Sequence, residues 1–226
     1  VTMGFGLGLA VSAQYGVATE KTRLAMPENN IGLFPDVGFS FLATRLPPGV
    51  GRLMAITGGH LFGAADALAS GLATQHVPVE RLPELAAALR AADLSADADS
   101  AIRGCIEGLA QAPAEPGKLA ANAELLKQVA SAPGLPEMVA ALQAAEAGSW
   151  AKELLAGMQK GGAPFSQAVS WALLTAAEKE AAGGGDEAGR LAAALERDFA
   201  TACRLFGRPD FCEGVRAVLV DKGSTP

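Results

Sequence analysis

Two carboxylates, Glu28 and Asp36, stand eight residues apart in the segment Met26-Pro-Glu-Asn-Asn-Ile-Gly-Leu-Phe-Pro-Asp36. Pro27, Gly32 and Pro35 make this stretch stiff and turn-prone, and Met26, Ile31, Leu33 and Phe34 surround the acids with apolar side chains. Apolar surroundings keep water from a carboxylate, raise its pKa and suit it to acid, base or nucleophilic work. Two carboxylates in unlike surroundings can divide those roles. The same residues also admit a purely structural reading, with Asp36 as the N-cap of a helix starting at Val37 and Glu28 as a surface turn residue. A second signal is Met3-Gly-Phe-Gly-Leu-Gly-Leu9, with glycine at alternate positions. Glycines at a helix start let backbone amides approach a bound group, where N–H donors and the helix dipole stabilise an oxyanion. They equally permit close helix packing. The segment is neither a dinucleotide fingerprint nor a phosphate-binding loop, because GxGxxG and Gly-Lys-Ser/Thr are both lacking.

The remaining reactive residues are few. His60 and His76 fall near turns after apolar helices and read as surface or capping residues. Cys105, Cys203 and Cys212 form neither a CxxC pair nor a Cys/His cluster, so no metal site is expected. Their odd number argues against a disulfide framework and fits a reducing compartment. With 18 basic against 24 acidic residues the net charge is −6. That weighs against a nucleic-acid binder, since phosphate neutralisation needs clustered Lys and Arg. Residues 1–19 carry no charge and approach the length of a membrane span. Glycines and Gln14 interrupt them and no basic start precedes them, so they read as buried soluble structure, with no membrane partner. The chain opens on Val1 rather than Met, which reads as a fragment or a processed chain.

The elements that must hold these residues fall into two regions. Residues 1–79 are Gly-rich and apolar, with short strands at 17–19 and 22–25, a helix over 6–13, a helix after Asp36, and helices over 50–57 and 64–70 closed by Gly58-Gly59 and Gly71. Residues 80–226 are Ala-rich and helical in pattern, with helices from Arg81 through Ala92 and over 100–111, 118–131, 136–147, 150–159, 165–181 and 188–206. Gly183-Gly184-Gly185 reads as a linker. Trp150 and Trp171 read as packing residues, and Met54, Met138 and Met158 as core fillers.

Taken together, Gly4-Phe-Gly-Leu-Gly-Leu9, Val17-Ala-Thr-Glu-Lys21, Ala25-Met-Pro-Glu28, Ile31-Gly-Leu-Phe-Pro-Asp36-Val-Gly38, residues 53–58 and Ala69-Ser-Gly-Leu-Ala73 resemble the crotonase (enoyl-CoA hydratase/isomerase) superfamily. Phe211-Cys-Glu-Gly-Val-Arg-Ala-Val-Leu-Val-Asp-Lys222 resembles the ending of its 3-hydroxyisobutyryl-CoA hydrolase subfamily. The resemblance implies an α/β fold, a partial crotonase-like spiral ββα core over 1–79 followed by a mostly helical C-terminal region over 80–226. Family hydratases carry a second glutamate where this chain has Gly8, and a glycine where it has Asp36, whereas the hydrolase subfamily has the Glu and Asp seen here. The resemblance therefore implies hydrolysis of a short branched 3-hydroxyacyl-CoA thioester in valine breakdown. A hydratase or isomerase, or a non-catalytic mitochondrial ribosome-associated homologue, stands as the alternative.

The resemblance assigns Glu28 as nucleophile or general base and Asp36 as the group that orients hydroxyl or water. It puts Phe5, Gly6 and Gly32 in the substrate-binding set, with the Phe5 amide on the thioester oxygen. It implies no metal and no cofactor, CoA being part of the acyl-CoA substrate. It allows self-association as a homo-oligomer, and implies a mitochondrial matrix location in a eukaryote or a cytoplasmic one otherwise. Lys222 stands where relatives often have a basic residue near the CoA phosphates, though a solvated Lys is the plainer reading. Arg216 reads as an ion-pair partner for the tail.

Overall fold

A computed structural model describes residues 1–58, 62–145 and 149–222. His60 and Gly59 lie outside them, as do the last two positions of the helix expected over 136–147.

The first region is a set of short crossovers. Strand β1 (Thr2–Met3) leads through Gly4 into helix α1 (Phe5–Val11), then come β2 (Val17–Ala18) and β3 (Leu24–Ala25). β1 pairs in parallel with β3, in the register Thr2↔Leu24 and Met3↔Ala25. β2 pairs in parallel with β4 (Gln75–His76), in the register Val17↔Gln75 and Ala18↔His76. Parallel pairing requires a crossover between partners, and α1 sits in the first of these. After β3 a 3₁₀ turn over Glu28–Ile31 precedes α2 (Phe39–Ala43), α3 (Val50–Thr57) and α4 (Ala64–Ala69). The helices after β4 are α5 (Leu82–Ala91), α6 (Ala98–Glu107), α7 (Lys118–Ala121), α8 (Ala123–Ser131), α9 (Leu135–Ala144), α10 (Ser149–Gly161), α11 (Pro164–Gly183), α12 (Glu187–Leu205) and α13 (Pro209–Val215). A π-helical turn over Arg216–Val220 follows.

α3 is the axis of the core. Its sequence Val-Gly-Arg-Leu-Met-Ala-Ile-Thr is apolar on nearly every side, and all of it but Arg52 is buried. α2, α8, α10 and α11 pack around it. One apolar cluster runs from Leu7 and Phe39 through Leu53, Met54 and Ile56 to Met138, Leu154 and Leu174, so it draws on both sides of position 80. Met138, Met158 and Trp150 are buried within it, and Trp171 packs at its edge. A smaller cluster of Leu33, Phe34 and Leu205, with Ile31, Val169, Leu173 and Phe211 around it, fixes the loop after the 3₁₀ turn against α11, α12 and α13.

Several expectations need correction. The helix expected over 118–131 breaks at Asn122, whose φ of −121° is not helical. α13 was not anticipated as an element. His76 is not a surface residue: it is 5 % exposed, and its Nδ1 bonds the Gln111 carbonyl at 3.0 Å. The uncharged stretch 1–19 is not uniformly buried. Leu7 and Ala18 are enclosed, but Val1, Phe5 and Leu9 are exposed, because α1 has only one face packed on the described core. Among the described residues no helix is long and apolar enough to cross a membrane.

Candidate active site

The β1–β3 register brings the two sequence signals together. With Met3 opposite Ala25, the Gly4 N–H donates to the Ala25 carbonyl at 3.2 Å, so the glycine segment runs beside Ala25-Met-Pro-Glu28. Gly4 has φ +52° and ψ −127°, a conformation that side chains disfavour, and a Cβ there would stand 2.5 Å from Glu28 Oε1. The Glu28 carboxyl therefore rests on the backbone at the point where α1 begins. The Gly4 carbonyl accepts the Leu7 and Gly8 amides at 2.9 and 3.1 Å. Phe5 and Gly6, the first two helical positions, have no intrahelical carbonyl to reach, so their N–H groups are free of the helix ladder at the end of α1 that follows Gly4. The Phe5 ring projects into solvent, 65 % exposed.

Glu28 is not a surface turn residue: it is 8 % exposed, and its Oε2 is buried with no hydrogen-bond partner. Desolvation pushes its pKa up to about 8; a bond to its own backbone opposes the rise, and the charge of Asp36 adds to it. That last influence places the two acids within electrostatic reach of each other. Asp36 is half-buried, and desolvation raises its pKa as well. Asp36 does not cap a helix with its side chain, for α2 starts only at Phe39 and has Gly38 at its N-cap. What Asp36 offers α2 is its carbonyl, which accepts the Phe39 N–H at 2.9 Å.

The turn that carries Glu28 is fastened by its neighbour. Asn29 is fully buried, donates from Nδ2 to the Ala55 carbonyl at 2.5 Å, and accepts from Ser170 Oγ at 3.0 Å. Its carbonyl also accepts the Ala163 N–H at 3.0 Å. Asn29 thus ties the turn to α3 and α11. Gly32, at φ +71°, turns its Cα toward α13, and a Cβ there would run into the Asp210 carbonyl. Gly214 meets the same turn from the other side, since a Cβ on it would lie 2.5 Å from the Ile31 carbonyl carbon. The C-terminal motif is therefore the backing of the turn. Its Arg216 pairs locally with Glu213 and Asp221, while Lys222 is exposed.

Two residues that hold the site escaped the sequence reading. Asn29 gave no signal beyond being polar within a turn. Asp198, on α12, is 5 % exposed and accepts the Gly38 N–H through Oδ2 at 2.7 Å. Its pKa rises to about 6, first through desolvation and then through Asp36, against the lowering effects of the Gly38 N–H and Arg197. A signal did exist here: Ala194, Asp198 and Leu205 share the buried stripe of α12, and an acid in an apolar stripe at helical spacing marks a polar contact inside. Among the described residues, no three His, Cys, Asp or Glu side chains gather as a metal ligand set.

A desolvated carboxyl against the residue that opens a helix, with a second carboxyl within electrostatic reach, can attack a carbonyl or draw a proton from water while helix-start amides hold the resulting oxyanion. The family model described as enoyl-CoA hydratase/isomerase matches residues 1–226. A curated relative from Arabidopsis thaliana, 3-hydroxyisobutyryl-CoA hydrolase 1, is 33% identical over 233 residues, covering 100% of this chain and 58% of its own. The mitochondrial 3-hydroxyisobutyryl-CoA hydrolase of Dictyostelium discoideum is 32% identical over 99% of this chain and 56% of its own. The chain thus spans a little over half the length of the curated relatives it matches. Among solved structures, a carnitinyl-CoA dehydratase from Mycobacterium thermoresistibile superposes with a TM-score of 0.79 at 27% identity, over 98% of this chain and 59% of its own.

Proposed function

Since the chain belongs to the enoyl-CoA hydratase/isomerase family, whose α/β fold it shares in part, and whose members supply the precedent of an acyl-CoA substrate, we propose that it hydrolyses the thioester of a short branched 3-hydroxyacyl-CoA, 3-hydroxyisobutyryl-CoA being the first candidate. The observation that carries this reading is the buried Glu28 carboxyl lying against Gly4, the residue that leads into α1, with Asp36 close enough to raise its pKa. In this mechanism Glu28, once ionised, attacks the thioester carbon or takes a proton from the attacking water. The carbonyl oxygen gathers charge and is held by the N–H groups at the start of α1. Asp36 orients the substrate hydroxyl or the water and assists proton transfer to the departing thiolate, whose proton comes from the water that then hydrolyses the Glu28 anhydride or, in the water route, from the protonated Glu28.

Hydration of an enoyl-CoA is the competing reading, since the superposed dehydratase works on a CoA ester. In this family that chemistry uses a glutamate at the position of Gly8. Here a Cβ on Gly8 would stand 2.7 Å from Val37 Cγ2, so the side chain of Val37 already fills that space. The same reading carries the location suggested by the mitochondrial name of the Dictyostelium relative, a matrix location if the source is eukaryotic.

A thiol-release assay on the full-length protein tests the proposal, with 3-hydroxyisobutyryl-CoA and crotonyl-CoA as rival substrates. We expect release of CoA from the first, and a fall in kcat of about a hundredfold or more in Glu28→Gln and about tenfold or more in Asp36→Asn. Hydration of crotonyl-CoA outrunning thioester cleavage, or unchanged turnover in both variants, overturns it.

A further inference from the structure

Asp36 stands at the head of a backbone turn that is costly to hold. Val37 has φ +54°, in the left-handed region that a β-branched residue strongly avoids, and Gly38 follows at φ +73°. Two consecutive left-handed residues are what let the chain reverse between Asp36 and α2 while the Val37 side chain is pressed against Gly8. Such strain persists only where surrounding structure fixes it. The fastening comes from α12. Asp198 Oδ2 takes the Gly38 N–H at 2.7 Å, and Leu191 and Leu195 close over the Gly38 Cα, where a Cβ would meet Leu191 Cδ1 at 3.0 Å. This carboxylate is expensive to keep: it is 5 % exposed, and its Oδ1 has no hydrogen-bond partner. The charged groups facing it are Asp36 from the turn and Arg197 from its own helix, and the Arg197 guanidinium is held by Glu180 on α11. A buried acid aimed at one backbone amide, two residues from a candidate catalytic acid and repelled by it, does more than fill the core.

We propose that Asp198 is a positioning residue, which locks the Asp36-Val37-Gly38 turn in its left-handed form and thereby aims the Asp36 carboxyl at the group that Glu28 faces. The catalytic half of this statement rests on the thioesterase reading above; the structural half does not. Asp198 touches no reacting atom. It acts through the Gly38 N–H, so any acceptor of the same shape serves the geometry.

The test compares Asp198→Leu, which keeps the volume and loses the acceptor, with Asp198→Asn, which keeps an acceptor and loses the charge. In Asp198→Leu the Gly38 amide, followed by hydrogen exchange, should exchange about tenfold faster or more. The kcat for thioester cleavage should fall about ten- to a hundredfold with KM changed less than about threefold, because a misaimed group loses rate before it loses binding. Asp198→Asn should restore protection and kcat to within about threefold of the parent. Normal protection of Gly38 in the Leu variant overturns the proposal, as does unchanged kcat there, or an Asn variant that folds and is as slow as Leu. If Asp198→Leu does not fold, Asp198→Asn decides alone, and a folded Asn variant with an unprotected Gly38 amide sinks the idea. If the parent cleaves no acyl-CoA, the thioesterase reading falls, while Gly38 exchange still judges the turn.

Discussion

Glu28 keeps its proton to about pH 8 because almost no water reaches its carboxyl and Asp36 adds negative potential beside it. A group that must be ionised to attack or to act as base then leaves its mark on the rate. kcat/KM for thioester cleavage should climb with pH to a plateau, with an apparent pKa near that of the buried carboxyl rather than in the ordinary glutamate range. Removing the Asp36 charge by Asp36→Asn should shift the midpoint downward as well as lowering the plateau. A pH–rate profile over both proteins checks this, and a flat profile across the neutral range would take Glu28 ionisation out of the rate. Residue types and spacing were enough to single out Glu28 and Asp36. Their environment was not readable: the local pattern left Glu28 free to be a surface turn residue, and only the β1–β3 register presses it against Gly4.

At the scale of elements, the turn that carries Glu28 is held by backbone approach. α13 lies so close to the turn that glycine is required on both sides, Gly32 facing Asp210 and Gly214 facing Ile31. Replacing Gly32 by alanine combines left-handed strain with a collision against a backbone carbonyl that cannot swing away. Gly71 provides the control, with φ +77° but nothing within 4 Å of a Cβ. Gly71→Ala should cost about 1 kcal/mol, and Gly32→Ala about 2–4 kcal/mol, with a matching loss of kcat. Denaturant unfolding of both variants measures the difference, and equal costs would remove α13 from the support of the turn. The long Ala-rich helices were legible because their apolar positions repeat at helical spacing. α13 was not: it is seven residues long, opens on Pro209 and contains Gly214, so its propensity is poor and its stability comes from the contact itself.

For the whole molecule, the buried acids set how stability responds to pH. Glu28 and Asp198 have folded pKa values of about 8 and about 6, above their ordinary values of 4.5 and 3.8. The folded state therefore holds these protons after the unfolded chain has released them. Their contribution is whole below the unfolded values and is lost progressively as pH rises toward the folded ones, so melting temperature should fall from about pH 5 to about pH 8. The exposed acids whose pKa values are lowered, such as Glu84 and Asp97, act only at lower pH. Glu28→Gln should flatten the slope most and gain stability at the alkaline end, by about 1–3 kcal/mol for an unpaired buried charge removed. Thermal scans across that range check it, and a parent and variant with parallel curves would refute it. By itself the sequence determined which residues are candidates for chemistry, the family they fit and the helical nature of the second region, because these follow from residue type, spacing and periodicity along the chain. Only the tertiary structure decided that Glu28 is dry, that Val37 fills the space beside Gly8, and that Asp198 reaches across 160 positions to the Gly38 amide. Desolvation and close approach belong to what surrounds a residue in space, and neighbours distant in the chain leave no trace in the local pattern.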